Sequence, residues 1–224
     1  MIKNISNLGD AAIYCDFGKE VNREINSNVI KYFNNIREQN IEGITNLTPS
    51  YNKLIISIDL NVTNFSKVKK IIENIEVSNI NKSSTKKIEI PICCEKGFEL
   101  DLNRLEEKLK KSSDEILDYF FSQEYFCYMT GFIAGMPFFG DLDENLYAKR
   151  LETPRVRVPK GSVGLTEQFC NIYTFESPGG WNIIGNTPLK IFDKTKDKTP
   201  NLINPGDIVK FKQINSEEHK NFYD

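Results

Sequence analysis

The sequence predicts an α+β protein of two units: a small open sheet with helices packed on one face, then a β-barrel carrying two short helices. Three observations carry that prediction. The first eighty residues hold only three glycines and one proline, and their apolar residues switch between the period of a strand and the period of a helix. A polar, turn-rich stretch, Asn79–Lys87 (NINKSSTKK), then interrupts the pattern. Finally, Thr130 to Phe192 contains eight of the thirteen glycines and five of the nine prolines. Glycine supplies backbone conformations other residues resist, and proline fixes φ and removes a donor. Short apolar runs between so many of both read as short strands joined by tight turns.

Taken in order, Ala11–Phe17 (AAIYCDF) is a strand ended by Gly18. Val21, Ile25, Val29, Phe33 and Ile36 step by three and four along one helical face. Thr45–Thr48 and Leu54–Leu60 are strands across the turn Pro49–Lys53. Phe65, Val68, Ile71, Ile72 and Ile75 mark a second helix with Thr63 or Asn64 as its N-cap. We assign residues 1–80 to the first domain, 81–87 to a linker and 88–224 to the barrel. In the barrel, Ile88–Cys93 is a strand followed by the loop Cys94–Glu99, and Leu102, Leu105 and Leu109 indicate a helix. Ser112-Ser113-Asp114-Glu115 places a capping box before another. Tyr125–Phe132 is an aromatic-rich strand, and short strands continue to Asp207–Gln213.

Composition excludes several function classes. The 224 residues are 39% hydrophobic and 27% charged with a net charge of −2, the profile of a soluble globular protein and not a nucleic-acid footprint. No apolar run reaches the length of a membrane span, and the N-terminus MIKNISNLGD lacks a signal-peptide core, so a cytoplasmic protein without membrane partners is expected. Cys15, Cys93, Cys94, Cys127 and Cys170 are odd in number and form no C-x-x-C pair, which fits buried reduced thiols in strands. The single histidine, His219, falls in the charged stretch SEEHKNFYD, read as a mobile tail. That leaves no basis for a His-based triad or a metal site. Neither a P-loop nor a G-x-G-x-x-G is present.

What remains is a set of polar groups around turns. Arg155 and Arg157 lie two apart on an expected strand, so both guanidinium groups are expected on one side. Such a pair suits a carboxylate or phosphate; the alternative is a surface pair bridged to Asp141, Asp143 or Glu152. Gly161-Ser162-Val163-Gly164 is either an anion-binding array of backbone N–H groups or a plain turn, with the turn preferred. Ser177-Pro178-Gly179-Gly180-Trp181 sets two glycines before the only tryptophan, allowing close backbone approach beside an indole that walls a pocket or fills the core. Glu95, Asp101 and Glu176 are candidate acid–base carboxylates.

These motifs, in this order, resemble the family of the 5-oxoprolinase B-type subunit, the sporulation kinase A inhibitor and allophanate hydrolase subunit 1, the carboxyltransferase domain, subdomain C and D type. Gly131-Phe132-Ile133-Ala134-Gly135-Met136-Pro137-Phe138 is similar to G-F-x-P-G-F-P-Y. Thr153-Pro154-Arg155 and Arg157-Val158-Pro159-Lys160-Gly161-Ser162-Val163-Gly164 are similar to T-P-R and R-V-P-x-G-S-V-G. Glu176–Trp181 with Ile184-Gly185-Asn186-Thr187-Pro188 is similar to E-S-P-G-G-W…I-G-R-T-P. Three departures stand out. Phe121 replaces a histidine, Phe169 the glutamine of I-A-G-G-Q-T-G-I-Y, and Asn186 the arginine of G-R-T-P, a pattern that fits a kept fold better than kept chemistry.

The resemblance implies a ferredoxin-like N-terminal domain joined to a cyclophilin-like barrel. It implies ATP-dependent opening of the 5-oxoproline lactam to glutamate, with ATP and magnesium bound at the level of a complex. The implied partners are a larger subunit of the allophanate hydrolase subunit 2 or 5-oxoprolinase C type, and the 5-oxoprolinase A-type subunit. Arg155 and Arg157 would then be electrostatic groups, and Pro137, Ser162, Gly179, Gly180 and Trp181 would shape the substrate pocket. The alternatives are a non-catalytic regulator of the histidine-kinase-inhibitor type and an allophanate hydrolase-related subunit.

Overall fold

The computed structural model describes residues 1–75, 85–196 and 199–223. The chain divides into two compact units, 1–84 and 85–224. Most of the stretch assigned as a linker, 81–84 of 81–87, lies outside the described residues, and Lys87 already opens a strand.

In the first unit, β1 (Asn4–Leu8), β2 (Ala12–Asp16), β3 (Ile44–Pro49) and β4 (Lys53–Ile58) form one antiparallel sheet in the order β1-β2-β4-β3. Period-two alternation puts Ile13 and Cys15 of β2, and Leu54, Ile56 and Ile58 of β4, on the buried face. Against it pack α1 (Arg23–Gln39) through Val29, Tyr32 and Ile36, and α2 (Phe65–Glu73) through Val68 and Ile72. Both helices start at an asparagine whose side chain accepts a backbone N–H: Asn22 from Ile25, Asn64 from Lys67. Asn26, buried in α1, donates to the carbonyls of Ser50 and Tyr51 and so ties the helix to the β3–β4 turn.

The second unit is a closed barrel of seven strands: β5 (Lys87–Cys93), β6 (Tyr125–Thr130), β7 (Pro137–Gly140), β9 (Ser162–Thr166), β10 (Phe169–Ile172), β12 (Asn182–Asn186) and β13 (Ile208–Ile214). They close in the order β10-β7-β6-β13-β5-β12-β9, with β5 and β13 parallel and the other neighbours antiparallel. The remaining two strands, β8 (Arg155–Val158) and β11 (Ser177–Gly179), form a separate ribbon. Among the described residues the unit also carries the α-helices α3 (Leu102–Leu109), α4 (Ser113–Ser122) and α5 (Ser216–Lys220). Ser112 and Glu115 form the expected capping box of α4.

The barrel has two apolar faces, and that arrangement positions the site. The interior cluster takes residues from every strand, among them Ile90, Cys127, Phe139, Leu165, Ile172, Ile184 and Phe211, and continues into Leu105 of α3 and Phe120 of α4. Their chain neighbours point the other way. Phe138, Tyr173 and Ile183 join Met136 and Val158 in a smaller cluster on the outer wall, with Val158 contributed by the ribbon. Both faces of β9 are therefore buried.

Two expectations need correcting. His219 is not in a mobile tail: it lies on α5, its ring 4.3 Å from that of Phe98, with Nε2 3.0 Å from Asn186 Oδ1. The aromatic strand ends at Thr130, not Phe132, because Gly131 turns the chain and Phe132 takes φ +64°.

Candidate functional site

Two glycines let the ribbon close onto the outer wall. Gly164 on β9 pairs with Asn171 on β10, and the space a Cβ would occupy is taken by Asn171 Oδ1 at 2.8 Å and Trp181 Cβ at 3.0 Å. Gly179 on β11 pairs with Arg155, and a Cβ there would overlap the Tyr173 hydroxyl. Gly180 differs, because its nearest neighbour would be Pro154 Cγ at 3.5 Å. Its carbonyl accepts the N–H of Leu151 at 2.7 Å and pins the preceding loop.

Between ribbon and wall lies a cavity of about 370 Å³. Met136, Phe138, Asn171 and Tyr173 form its floor, Pro178, Gly179, Gly180 and Trp181 its ribbon side, and Phe132, Arg150 and Pro154 its remaining lining. Phe138 and Trp181 meet edge to face with centroids 5.6 Å apart.

Two polar residues line this largely apolar hollow, one buried and one exposed. Asn171 is 1% exposed; its side chain hydrogen-bonds Tyr173, while its Oδ1, turned onto Gly164, accepts no hydrogen bond. Arg150 makes no ion pair among the described residues, although its backbone is held on both sides by the Lys149 carbonyl, which accepts from Asn182 at 3.2 Å, and by Leu151. Burial raises the Tyr173 phenol above its ordinary pKa, against a smaller opposing pull from the Asn171 side chain, so it is a neutral hydroxyl.

The residues singled out from sequence separate in the structure. Gly179, Gly180 and Trp181 line the cavity. Pro137 opens β7 and Ser162 is 1% exposed within β9, its carbonyl accepting Tyr173 N–H at 2.9 Å; both sit in the wall without lining the hollow. Arg155 is held in a bidentate pair by Asp101, at 2.9 and 2.6 Å, and Asp101 also accepts the Ile183 N–H at 2.7 Å. Asp101 is 3% exposed and spends its carboxylate clamping β8 to β12, which accounts for both the candidate acid and the candidate arginine.

Arg157 does not share a face with Arg155. A register shift in the β8–β11 pairing leaves Val156 and Arg157 both in solvent, breaking the alternation on which the pairing rested, and Arg157 makes only a 3.7 Å contact to Glu176. The turn falls at 159–162, where Ser162 donates to the Pro159 carbonyl and Gly161 to that of Tyr173, and Ser162–Gly164 already belong to β9, so the segment is half turn and half strand. Glu95 accepts the Ser216 N–H at 3.1 Å.

The departures lie elsewhere too. Phe121 packs on the interior cluster, Asn186 bonds the Lys160 carbonyl, and Phe169 stands outside the cavity lining. All five cysteines are buried and unpaired; desolvation pushes the Cys15 thiol up to about 12 and raises the others, so none is poised as a nucleophile. No group of three or more His, Cys, Asp or Glu capable of holding a metal occurs among the described residues.

Sequence reasoning missed Asn171, Tyr173 and Arg150. For Asn171 a signal existed, a carboxamide inside the otherwise strand-like run Phe169–Phe175 (FCNIYTF). Arg150 offered none, since its place at the hollow depends on the loop being pinned to Gly180.

Residues 3–203 match the family described as carboxyltransferase domain, subdomain C and D. The chain is 32% identical over 227 residues to the 5-oxoprolinase B-type subunit of Bacillus subtilis, covering 96% of this chain and 94% of that one. It is 41% identical over 124 residues to the 5-oxoprolinase B-type subunit of Haemophilus influenzae, 55% of this chain and 58% of that one. Among solved structures, an uncharacterised protein of Pyrococcus horikoshii is 33% identical and superposes with a TM-score of 0.58 over 96% of this chain and all of that one. The urea amidolyase of K. lactis shares the fold, with a TM-score of 0.80 at 19% identity over 96% of this chain and 15% of that one.

Proposed function

The chain belongs to the carboxyltransferase domain, subdomain C and D, family, and from that premise we propose that it is the B-type subunit of a 5-oxoprolinase, an ATP-dependent enzyme that opens the 5-oxoproline lactam to glutamate. One observation carries the reading. Segments separated in sequence, 131–138, 150–155, 171–173 and 176–181, converge on a single hollow, and they include the motifs shared with the family.

An unstrained amide resists hydrolysis until its oxygen is activated, and phosphorylation of that oxygen is what ATP supplies. The residues of this chain do not fit a magnesium–nucleotide: its described residues form no carboxylate cluster, and the Gly161 and Ser162 amides are spent on backbone carbonyls. We therefore assign nucleotide handling to the partner subunits, of the 5-oxoprolinase A and C types. To this chain we assign binding and orienting the lactam and excluding water, with the Phe138–Trp181 wall as the dry side. On this reading the chain is inactive alone. Arg155 and Arg157 serve the ribbon instead of the substrate, and the five reduced thiols support a cytoplasmic setting.

The test is 5-oxoproline-stimulated ATP hydrolysis by the reconstituted three-subunit assembly, with each subunit omitted in turn. Activity that disappears when this chain is withheld is the expected result. A complete, stable assembly without stimulated hydrolysis would sink the proposal.

A further inference from the structure

We infer that the rim of the hollow beneath the ribbon is the face on which the phosphoryl-supplying partner subunit docks, with the Phe132 ring as the anchor that enters an apolar pocket on that partner. The inference deepens the subunit reading above and rests on it for the identity of the partner.

The argument starts from strain. Phe132 takes φ +64°, a left-handed conformation that a bulky side chain resists. Across it the Ile133 N–H donates to the Gly131 carbonyl at 2.7 Å, so Phe132 is the apex of a γ-turn of the rare, strained kind. The loop that carries it is firmly held. Gly131 N–H donates to the Met136 carbonyl, and Met136 N–H to that of Ile133, both at 3.0 Å. Thr174 Oγ1 donates to the Ala134 carbonyl at 2.9 Å, and Phe192 packs so closely on Gly135 that a Cβ would not fit. All of this presents a ring that is 79% exposed. Burial of an aromatic side chain would offset the strain, and within this chain the ring is not buried.

The second element is what surrounds the ring. Pro154 and Pro178, which line the hollow together with Phe132, are exposed as well. Two residues beyond Pro154 on the ribbon, Val156 is 81% exposed. Through Phe192 the apolar surface continues to Phe175, 42% exposed, whose ring centroid lies 5.9 Å from that of Phe192. Arg150, Arg157 and Glu176 add exposed charge of both signs. An apolar centre with a charged rim is the make-up of a protein-docking surface.

The third element selects the occupant. Activation of a lactam held in the hollow requires the γ-phosphorus to exchange its bond to ADP for one to the lactam oxygen, and that exchange needs direct contact. The subunit that brings the nucleotide must therefore cover the mouth of the hollow, where Phe132 stands. A ring already fixed in place loses little freedom on docking, which favours a strong contact.

The test is the affinity of the full chain for its purified partner subunits, measured by calorimetry without 5-oxoproline. The chains compared are the wild type, Phe132→Asn and Leu60→Asn, the last replacing an exposed apolar residue of the first unit. Asparagine accepts the left-handed conformation, so Phe132→Asn should keep or raise the urea midpoint. Its association should weaken by at least about thirtyfold, the scale of an aromatic anchor. Leu60→Asn should bind like the wild type. A misfolded variant cannot imitate a loss of affinity at an undiminished midpoint.

Unchanged affinity in Phe132→Asn, an equal loss in both variants, or a lowered midpoint in Phe132→Asn overturns the inference; in the last case the ring belongs to the chain's own packing. If affinity is unchanged while the full assembly shows 5-oxoproline-stimulated hydrolysis, the subunit reading stands and the docking face alone falls. The expected loss of affinity in an assembly without stimulated hydrolysis keeps the docking face and removes the reading.

Discussion

The first unit has a hollow larger than the one beneath the ribbon: about 450 Å³ between α1 and β3, lined by Phe33, Ile36, Arg37, Asn40 and Ile41 among others, against about 370 Å³. Both mix apolar walls with one arginine. They differ in what their polar groups already do. Arg37 donates to Asn34 at 3.1 Å and lies over the Phe33 ring at 4.9 Å, so its charge is engaged along its own helix. Arg150 makes no ion pair among the described residues and reaches solvent, and Asn171 beneath it is buried with an unbonded Oδ1 against Gly164. Volume alone does not separate the two; the hollow beneath the ribbon is the one on which separate segments of the second unit converge.

The harshest way to break that comparison is to release the ribbon. Asp101→Ala removes the buried carboxylate that holds Arg155 and the Ile183 N–H, and it should cost about 3 kcal/mol of unfolding free energy, read as a shift of the urea midpoint. A wild-type midpoint would mean the clamp is dispensable. Gly179→Ala pushes a methyl into the Tyr173 hydroxyl and should cost about 2 kcal/mol, whereas Gly180→Ala should stay within about 0.5 kcal/mol. Equal effects in the two variants would show that the ribbon does not need close contact at Gly179.

Asn171→Leu sharpens the contrast from the other side. Replacing Asn171 removes an unsatisfied buried acceptor but also its side-chain hydrogen bond to Tyr173, so stability should change by no more than about 1 kcal/mol in either direction, while use of 5-oxoproline by the assembly weakens. A large loss of stability would mean that Asn171 is structural.

The smallest effect belongs to His219. Burial lowers its pKa below the ordinary value of 6.5, so the folded state favours the neutral ring while the unfolded chain takes up a proton first. Stability should therefore be full above pH 6.5 and decline slightly as pH falls below it. His219→Gln should flatten that part of the profile, and an unchanged slope would assign it to other groups.

Much of this was legible in the sequence. The helical steps from Ile25 to Ile36, the Asn64 alternative of the Thr63-or-Asn64 cap and the Ser112–Glu115 box appear in the structure, because each depends on neighbours within one turn, whereas Val21 falls before the Asn22 cap. β1 was missed because NISNL is half or fully exposed along its length and carries no alternation. α5 was missed although Asn215 and Glu218 form a capping box, since five residues give no periodicity. At the site, Gly179, Gly180 and Trp181 were legible as a turn that brings backbone close to an indole. The Arg155–Arg157 pair misled because a bulge is invisible to a period-two rule. Arg155's true partner, Asp101, lies 54 residues away.

The departures at Phe121, Phe169 and Asn186 suggested lost chemistry, yet none of the three lines the hollow. Whether a replacement matters depends on which face of the barrel wall it occupies, and that is a property of closure.

The most direct test compares the two hollows in one assay: the KM for 5-oxoproline of the reconstituted assembly carrying Asn171→Leu or Arg37→Ala in this chain. The account predicts a KM raised at least about tenfold for Asn171→Leu and unchanged for Arg37→Ala. A KM that stays at the wild-type value in Asn171→Leu, or that rises equally in both variants, would contradict it.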